Sequence, residues 1–115
     1  MKRQQATEKL AQKVMGWHKG PHPRWHEAWY SQYETDMGGS QAWNPWDDIE
    51  DTMELIKHEK SSYIRLSWYP ASERWEACLF DHSSYYKHRS NNLPEAITLA
   101  VCKAYGIEVE EVGDA

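Results

Sequence analysis

The closing segment, Asn92 to Gly106, limits what this chain can fold into more than any other. Pro94 suits a first helical turn and Gly106 supplies a stop, while Ile97, Ala100, Val101 and Ala104 recur between them at helical spacing. Leu99 and Cys102 widen that stripe, so a helix here needs cover on most sides. In 115 residues there is room for one core of ordinary size and not for two. The other elements must therefore be built around this helix. Its uncharged run, Ala96 to Cys102, is interrupted by Lys103 and falls far short of the roughly 20 residues a membrane span needs.

Two further helices are predicted. The first runs from about Gln5 to Met15, with Leu10 and Val14 four apart, Ala6 and Ala11 on the same face, and Gly16 as its stop. The second begins at Asn44 as N-cap with Pro45 in first position, and Asp47 and Asp48 complement the dipole. Ile49, Thr52, Met53 and Ile56 carry it to about Glu59, with Asp48, Glu50, Asp51, Glu54 and Lys57 on its outer face. Between these helices, Pro21 and Pro23 exclude helix, and Met37-Gly38-Gly39-Ser40 reads as a turn. Arg24 to Tyr33 is either one strand or the two arms of a short hairpin. If Arg24 to Trp29 is extended, Trp25 and Trp29 share a face.

Three strands then follow. Ser62 to Tyr69 alternates Ile64, Leu66 and Trp68 with Tyr63, Arg65, Ser67 and Tyr69. Pro70-Ala71-Ser72-Glu73 turns the chain into Trp75 to Phe80, and Asp81-His82-Ser83-Ser84 turns it again into Tyr85 to Ser90. Ile107 to Val112 reads as a short acidic terminal segment or an edge strand. The predicted fold is a single-domain α-β-α sandwich with a mainly antiparallel sheet and about three helices. It takes in residues 1–115, with an ordered core over 5–107 and an acidic tail over 108–115.

Seven Trp and seven Tyr stand against a single Phe, so nearly every ring carries a polar handle. Such rings suit positions with one end buried and one end wet, which points to binding surface as well as core. A formal charge of −5 argues against general nucleic-acid binding. Base is nevertheless concentrated around His18-Lys19, Arg24 and His26, and again at Lys87-His88-Arg89, where a small anion could be met. Met1-Lys2-Arg3-Gln4-Gln5 does not lead into a secretory apolar stretch, and two cysteines make no disulfide framework. The expected compartment is a reducing cytoplasm.

Three short segments resemble one known family. Leu10-Ala11-Gln12-Lys13-Val14-Met15-Gly16-Trp17 resembles the helix stop that opens the phage ABA sandwich domain. Trp43-Asn44-Pro45 is similar to its middle-helix start, and Pro94-Glu95-Ala96-Ile97 to Gly106 to its closing helix. The resemblance covers about residues 6 to 107 and implies an α/β sandwich of phage or prophage origin, in a host cytoplasm. It carries no catalytic residues over. The stretch Trp17 to Ala42 is longer and more aromatic than the family leads one to expect.

The residue chemistry favours binding over catalysis. His18, His22 and His26 are four apart, but the prolines remove the helix that would align them, and no CxxC, HExxH or HxH pattern supports a metal. Cys78 in a strand and Cys102 in a buried helix read as inert hydrophobes, and nothing selects His82 or His88 as a base. No cofactor or catalytic residue is expected. Rings interleave with cations at Tyr85-Tyr86-Lys87-His88-Arg89 and around Arg24-Trp25. Flat bases stack on Trp or Tyr while Arg or Lys meets phosphate. The candidate ligand-binding residues are Arg24, Trp25, Trp29, Arg65, Tyr85, Tyr86, Lys87 and Arg89. In the plainer alternative, Tyr85 or Tyr86 packs in the sheet while Lys87 and Arg89 guard an edge strand against aggregation.

With the resemblance, these residues point to a small non-enzymatic phage protein that sequesters a nucleotide-like ligand, such as a host immune signal. The alternative is a protein-interaction module that docks a host or phage protein through exposed Trp and Tyr. Self-association is expected in either case, and membrane contact is not.

Overall fold

The computed structural model describes residues 1–61 and 63–110. Its elements follow as α1 (Arg3–Lys13), β1 (His18–His22), β2 (His26–Tyr30), β3 (Asp36–Gly39), α2 (Ile49–His58), β4 (Tyr63–Tyr69), β5 (Arg74–Asp81), β6 (Ser84–Ser90) and α3 (Leu93–Ala104). The antiparallel strands are divided between two sheets, ordered β1-β2-β3 and β4-β5-β6, where the sequence pointed to one. Ser62, the predicted start of β4, lies outside the described residues.

As its pattern requires, α3 is covered: every residue from Ala96 to Cys102 is buried. It lies over β5 and β6, and Ala77 and Leu79 of β5 join it in the core. Helix α1 contributes Ala6, Leu10 and Ala11, and Trp17, Trp29, Trp43 and Trp46 complete the same cluster. Four of the seven tryptophans are therefore core residues. Burial pushes the Cys102 thiol up to about 12, so at neutral pH it stays protonated and packs as a small hydrophobe.

Helix α2 begins later than the Asn44 cap implied. Asp48 is its N-cap, and the Asp48 side chain accepts hydrogen bonds from the Glu50 and Asp51 backbone N–H groups. Asn44 closes a separate turn, its carbonyl accepting from Asp48 N at 3.1 Å. The buried Pro45 carbonyl in that turn accepts from Thr52 Oγ1 and Thr98 Oγ1, each at 2.7 Å, and so ties α2 to α3. The buried face of α2 centres on Thr52 and Leu55, which leaves the apolar Ile49 and Met53 at 45% and 44% exposure.

The first sheet corrects the reading of the irregular stretch. Met37-Gly38-Gly39 belongs to strand β3 and is not a turn. A Cβ on Gly39 would meet Trp25 Cγ at 3.2 Å, and one on Gly20 would meet the Tyr30 ring at 3.0 Å. Both glycines serve close approach of a ring to the backbone. At the C-terminal end no strand forms over residues 107–110; residues 111 and 112 lie outside the described residues. Ile107 is buried, and the Met1 amine and carbonyl bond Glu108 O and Glu110 N at 2.8 and 2.7 Å.

Candidate functional site

Register decides which candidate residues meet. In the second sheet Tyr63 opposes Phe80, Arg65 opposes Cys78 and Ser67 opposes Glu76; on the other side of β5, Phe80 opposes Tyr85, Cys78 opposes Lys87 and Glu76 opposes Arg89. Opposed residues share a face, and this one points away from α3. Arg65, Tyr85, Lys87 and Arg89 are thus brought together on the outer face of β4–β6. Rows run across the strands. The first is aromatic, with the Tyr63 and Phe80 rings stacked at 4.5 Å and 9°, and Phe80 to Tyr85 at 6.3 Å. The second sets Arg65 and Lys87 on either side of the small, buried Cys78. Successive rows on one face lie about 6–7 Å apart.

Cations and rings are in contact across these rows. Arg65 Cζ lies 5.3 Å from the Phe80 ring, Lys87 Nζ lies 5.9 Å from Tyr85, and Arg89 Cζ lies 4.3 Å from Tyr69. Arg89 differs from the other two because it also donates from Nε to Glu76 Oε2 at 2.8 Å. That hydrogen bond, with the Glu76 charge behind it, holds Arg89 above its ordinary pKa, and Arg89 in turn is the partner of a carboxylate only 4% exposed. Arg89 is therefore engaged within the sheet, whereas the Arg65 and Lys87 side chains make only ring contacts among the described residues. On this face of a chain of net charge −5, Arg65, Lys87 and Arg89 accompany one strand carboxylate, Glu76, among the described residues. Tyr63 and Tyr85 are 58% and 61% exposed, so ring surface remains open to a ligand.

The other candidates lie elsewhere. Tyr86 opposes Leu79, on the α3 side of the sheet, because neighbours on a strand point oppositely. Trp29 is 1% exposed in the core and offers no stacking face. Arg24 and Trp25 sit between β1 and β2, so Trp25 does not share a strand face with Trp29. Trp25, 44% exposed, borders a cleft of about 370 Å³ with Gly39, Ser40, Gln41 and Ala42. The Tyr63 and Phe80 rings are additions to the candidates: alternation along β4 puts Tyr63 on the face of Arg65, and Phe80 joins them only through the β4–β5 register.

His22 fixes the Trp25 turn. Its Nδ1 accepts from Arg24 N and Trp25 N at 3.0 and 3.3 Å, which puts the ring proton on Nε2, facing Asp36 Oδ2 at 2.9 Å. The ring also stacks on Trp25 at 4.4 Å. His22→Ala removes all of these contacts and is expected to cost about 2 kcal/mol, at roughly 1 kcal/mol for the Nδ1 acceptor that Arg24 N and Trp25 N share and roughly 1 kcal/mol for the bond to Asp36. Thermal unfolding followed by circular dichroism reads that as a fall of about 8 °C. An unchanged midpoint would mean that the turn is held by other contacts. Among the described residues, no three His, Cys, Asp or Glu side chains come together as a metal site. His82 lies exposed in the β5–β6 turn, and His88 lies on the α3 side of β6.

Residues 8–104 match the phage ABA sandwich domain. The chain belongs to that family. The phage ABA sandwich domain here is also similar to a phage protein from Bacillus cereus ATCC 14579, whose crystal structure superposes with a TM-score of 0.69 at 13% identity, over 96% of this chain and 93% of that one. At that identity the likeness shows the fold alone. No curated protein matches the sequence. The rows of rings and cations lie wholly within the matched residues of the domain, and none of its described helices is long and apolar enough to cross a membrane.

Proposed function

We propose that this phage protein is a non-enzymatic binding protein that holds a nucleotide-like anion on the outer face of β4–β6, and that it works by sequestration, for instance of a host immune signal. The observation that carries the reading is the pair of adjoining rows, Tyr63–Phe80–Tyr85 and Arg65–Cys78–Lys87. A base stacked on an outer tyrosine would leave its phosphate one row away, between two cations. Base stacking contributes about 1–3 kcal/mol per ring, and cations add charge-assisted hydrogen bonds. No cofactor enters the scheme, and no side chain is assigned a catalytic role.

A capture-and-release experiment tests this. The protein is mixed with linear and cyclic nucleotides and ADP-ribose derivatives, the free pool is measured, and the protein is then heat-denatured. A ligand that disappears and returns intact supports sequestration. A ligand that returns altered would make the protein an enzyme, and no depletion at all would sink the nucleotide reading. The competing reading, docking of a host or phage protein, draws on Trp25 and Tyr33, exposed at 44% and 82%. It would gain if nothing in the panel bound.

A further inference from the structure

The two edges of the second sheet are built differently. β6 carries Lys87, His88 and Arg89 in succession, and Lys103 of α3 donates from Nζ to the Lys87 carbonyl at 2.9 Å. Charge along a strand and a covered carbonyl both discourage another strand from pairing. β4 has neither device. Its seven residues include one charge, Arg65, and no proline, and among the described residues no strand pairs with its second edge. Because α3 lies over β5 and β6, the side of β4 that faces the helix layer is only partly covered: Ile64 packs against the core, while Leu66 and Trp68 remain at 41% and 46% exposure. A seven-residue edge with a single charge and no proline is a ready template for a further strand.

We propose that β4 pairs antiparallel with β4 of a second copy of this chain, about a two-fold axis through Leu66, making one six-stranded sheet from two. The strand is its own complement in one register. Centred on Leu66, every residue from Tyr63 to Tyr69 finds a partner: Leu66 opposes itself, Ile64 opposes Trp68, Arg65 opposes Ser67 and Tyr63 opposes Tyr69. Apolar side chains then meet on the helix side, while the cation meets a hydroxyl on the outer side. Shifting the axis to Arg65 sets two guanidiniums against each other, which is unfavourable. Shifting it to Ser67 sets Ile64 against Pro70, which has no N–H for the ladder. Intermediate registers would oppose residues of different faces. A closed two-fold contact also removes the free edge and stops growth at two copies. This inference stands without the ligand reading. Where both hold, the two ring-and-cation faces become one continuous surface.

Sedimentation velocity on the wild-type protein is expected to give twice the 13.6 kDa chain mass. Leu66→Lys sets two ammonium groups at the axis from a half-exposed position and is expected to halve that mass with an unchanged circular dichroism spectrum. If that variant fails to fold, Leu66→Cys oxidised with diamide decides the matter, because Cys78 and Cys102 are buried. Opposed residues at the axis have Cα separations of about 4.5–5.5 Å, within disulfide range. Leu66→Cys should therefore cross-link two copies where Tyr85→Cys, on β6, does not. A monomeric wild type overturns the proposal. So does a dimer that survives Leu66→Lys, or cross-linking through Tyr85→Cys as efficient as through Leu66→Cys.

Discussion

Replacing Arg65 and Lys87 together by alanine is expected to weaken binding of an ADP-ribose or dinucleotide probe by about 10²- to 10⁴-fold, as read by titration calorimetry. A hydrogen bond to a charged group contributes about 1.5–3 kcal/mol, and each 1.4 kcal/mol is a factor of ten, so two such contacts span that range. The fold should be indifferent, because both residues are exposed and neither has an ion-pair partner among the described residues that the change would strand. Surface changes of this kind usually stay within about 0.5 kcal/mol of the parent stability. Arg24→Ala is the control: it lies in the turn between β1 and β2, on the other sheet, and should leave the affinity unchanged. Arg89 is a poor choice for the same test, since its removal would leave buried Glu76 without its cation. A loss of less than tenfold in the double variant would move the weight to protein docking through the rings, where two charges at the rim matter little.

That site is partly legible in the sequence. Period-two alternation in Tyr63 to Tyr69 sorts Ile64, Leu66 and Trp68 from Tyr63, Arg65 and Tyr69, and the observed register keeps that sorting. The same rule separates Tyr85 from Tyr86, so placing both on one surface overlooks a constraint the sequence itself holds. What the sequence does not contain is the pairing of β4 with β5 and β6, a matter of strands meeting across turns. Without it, Arg65 has no reason to face Lys87. Helix α3 is legible because its apolar surface is too broad for anything except burial.

The misread parts share a physical cause. Gly38-Gly39 reads as a turn because glycine is usually spent on positive φ, and Gly38 does have φ +104°. Gly39, however, gives Trp25 room to lie on β3, a tertiary reason that no local pattern announces. Asn44 and Asp48 are both of a residue type that caps helices and each accepts from a nearby backbone N–H, so type alone does not separate them; Asn44 serves the turn whose Pro45 carbonyl ties α2 to α3, and Asp48 begins the helix. The tryptophans show the same limit. Composition gives seven rings with polar handles, yet burial divides them among core, turn and edge by the neighbours each one meets.

Trp29 tests that division most severely. It is 1% exposed on β2, within the cluster that holds Leu10, Trp17 and Trp43, and Lys19 lies over its ring at 5.3 Å. Glu8, chiefly through its hydrogen bond, holds Lys19 in place and above the ordinary lysine pKa, so the ring face that a ligand would use is already covered. Trp29→Ala is expected to cost about 3–5 kcal/mol, since a cavity is left that the surrounding sheet cannot close. At roughly 4 °C per kcal/mol for a domain near this size, the thermal midpoint falls by about 12–20 °C. Trp29→Phe should behave differently. It keeps a ring in the cavity and deletes an indole N–H that is buried with no hydrogen-bond partner among the described residues, a group that costs about 1–3 kcal/mol to hold unpaired. That saving offsets part of the lost contact area, and a fall of less than about 8 °C is expected at the same slope. Ligand affinity should also be that of the parent in the phenylalanine variant. A large loss of affinity with a preserved midpoint would return Trp29 to the binding surface. Equal destabilisation by Phe and Ala would instead mean that the indole N–H has a partner after all, such as a buried water.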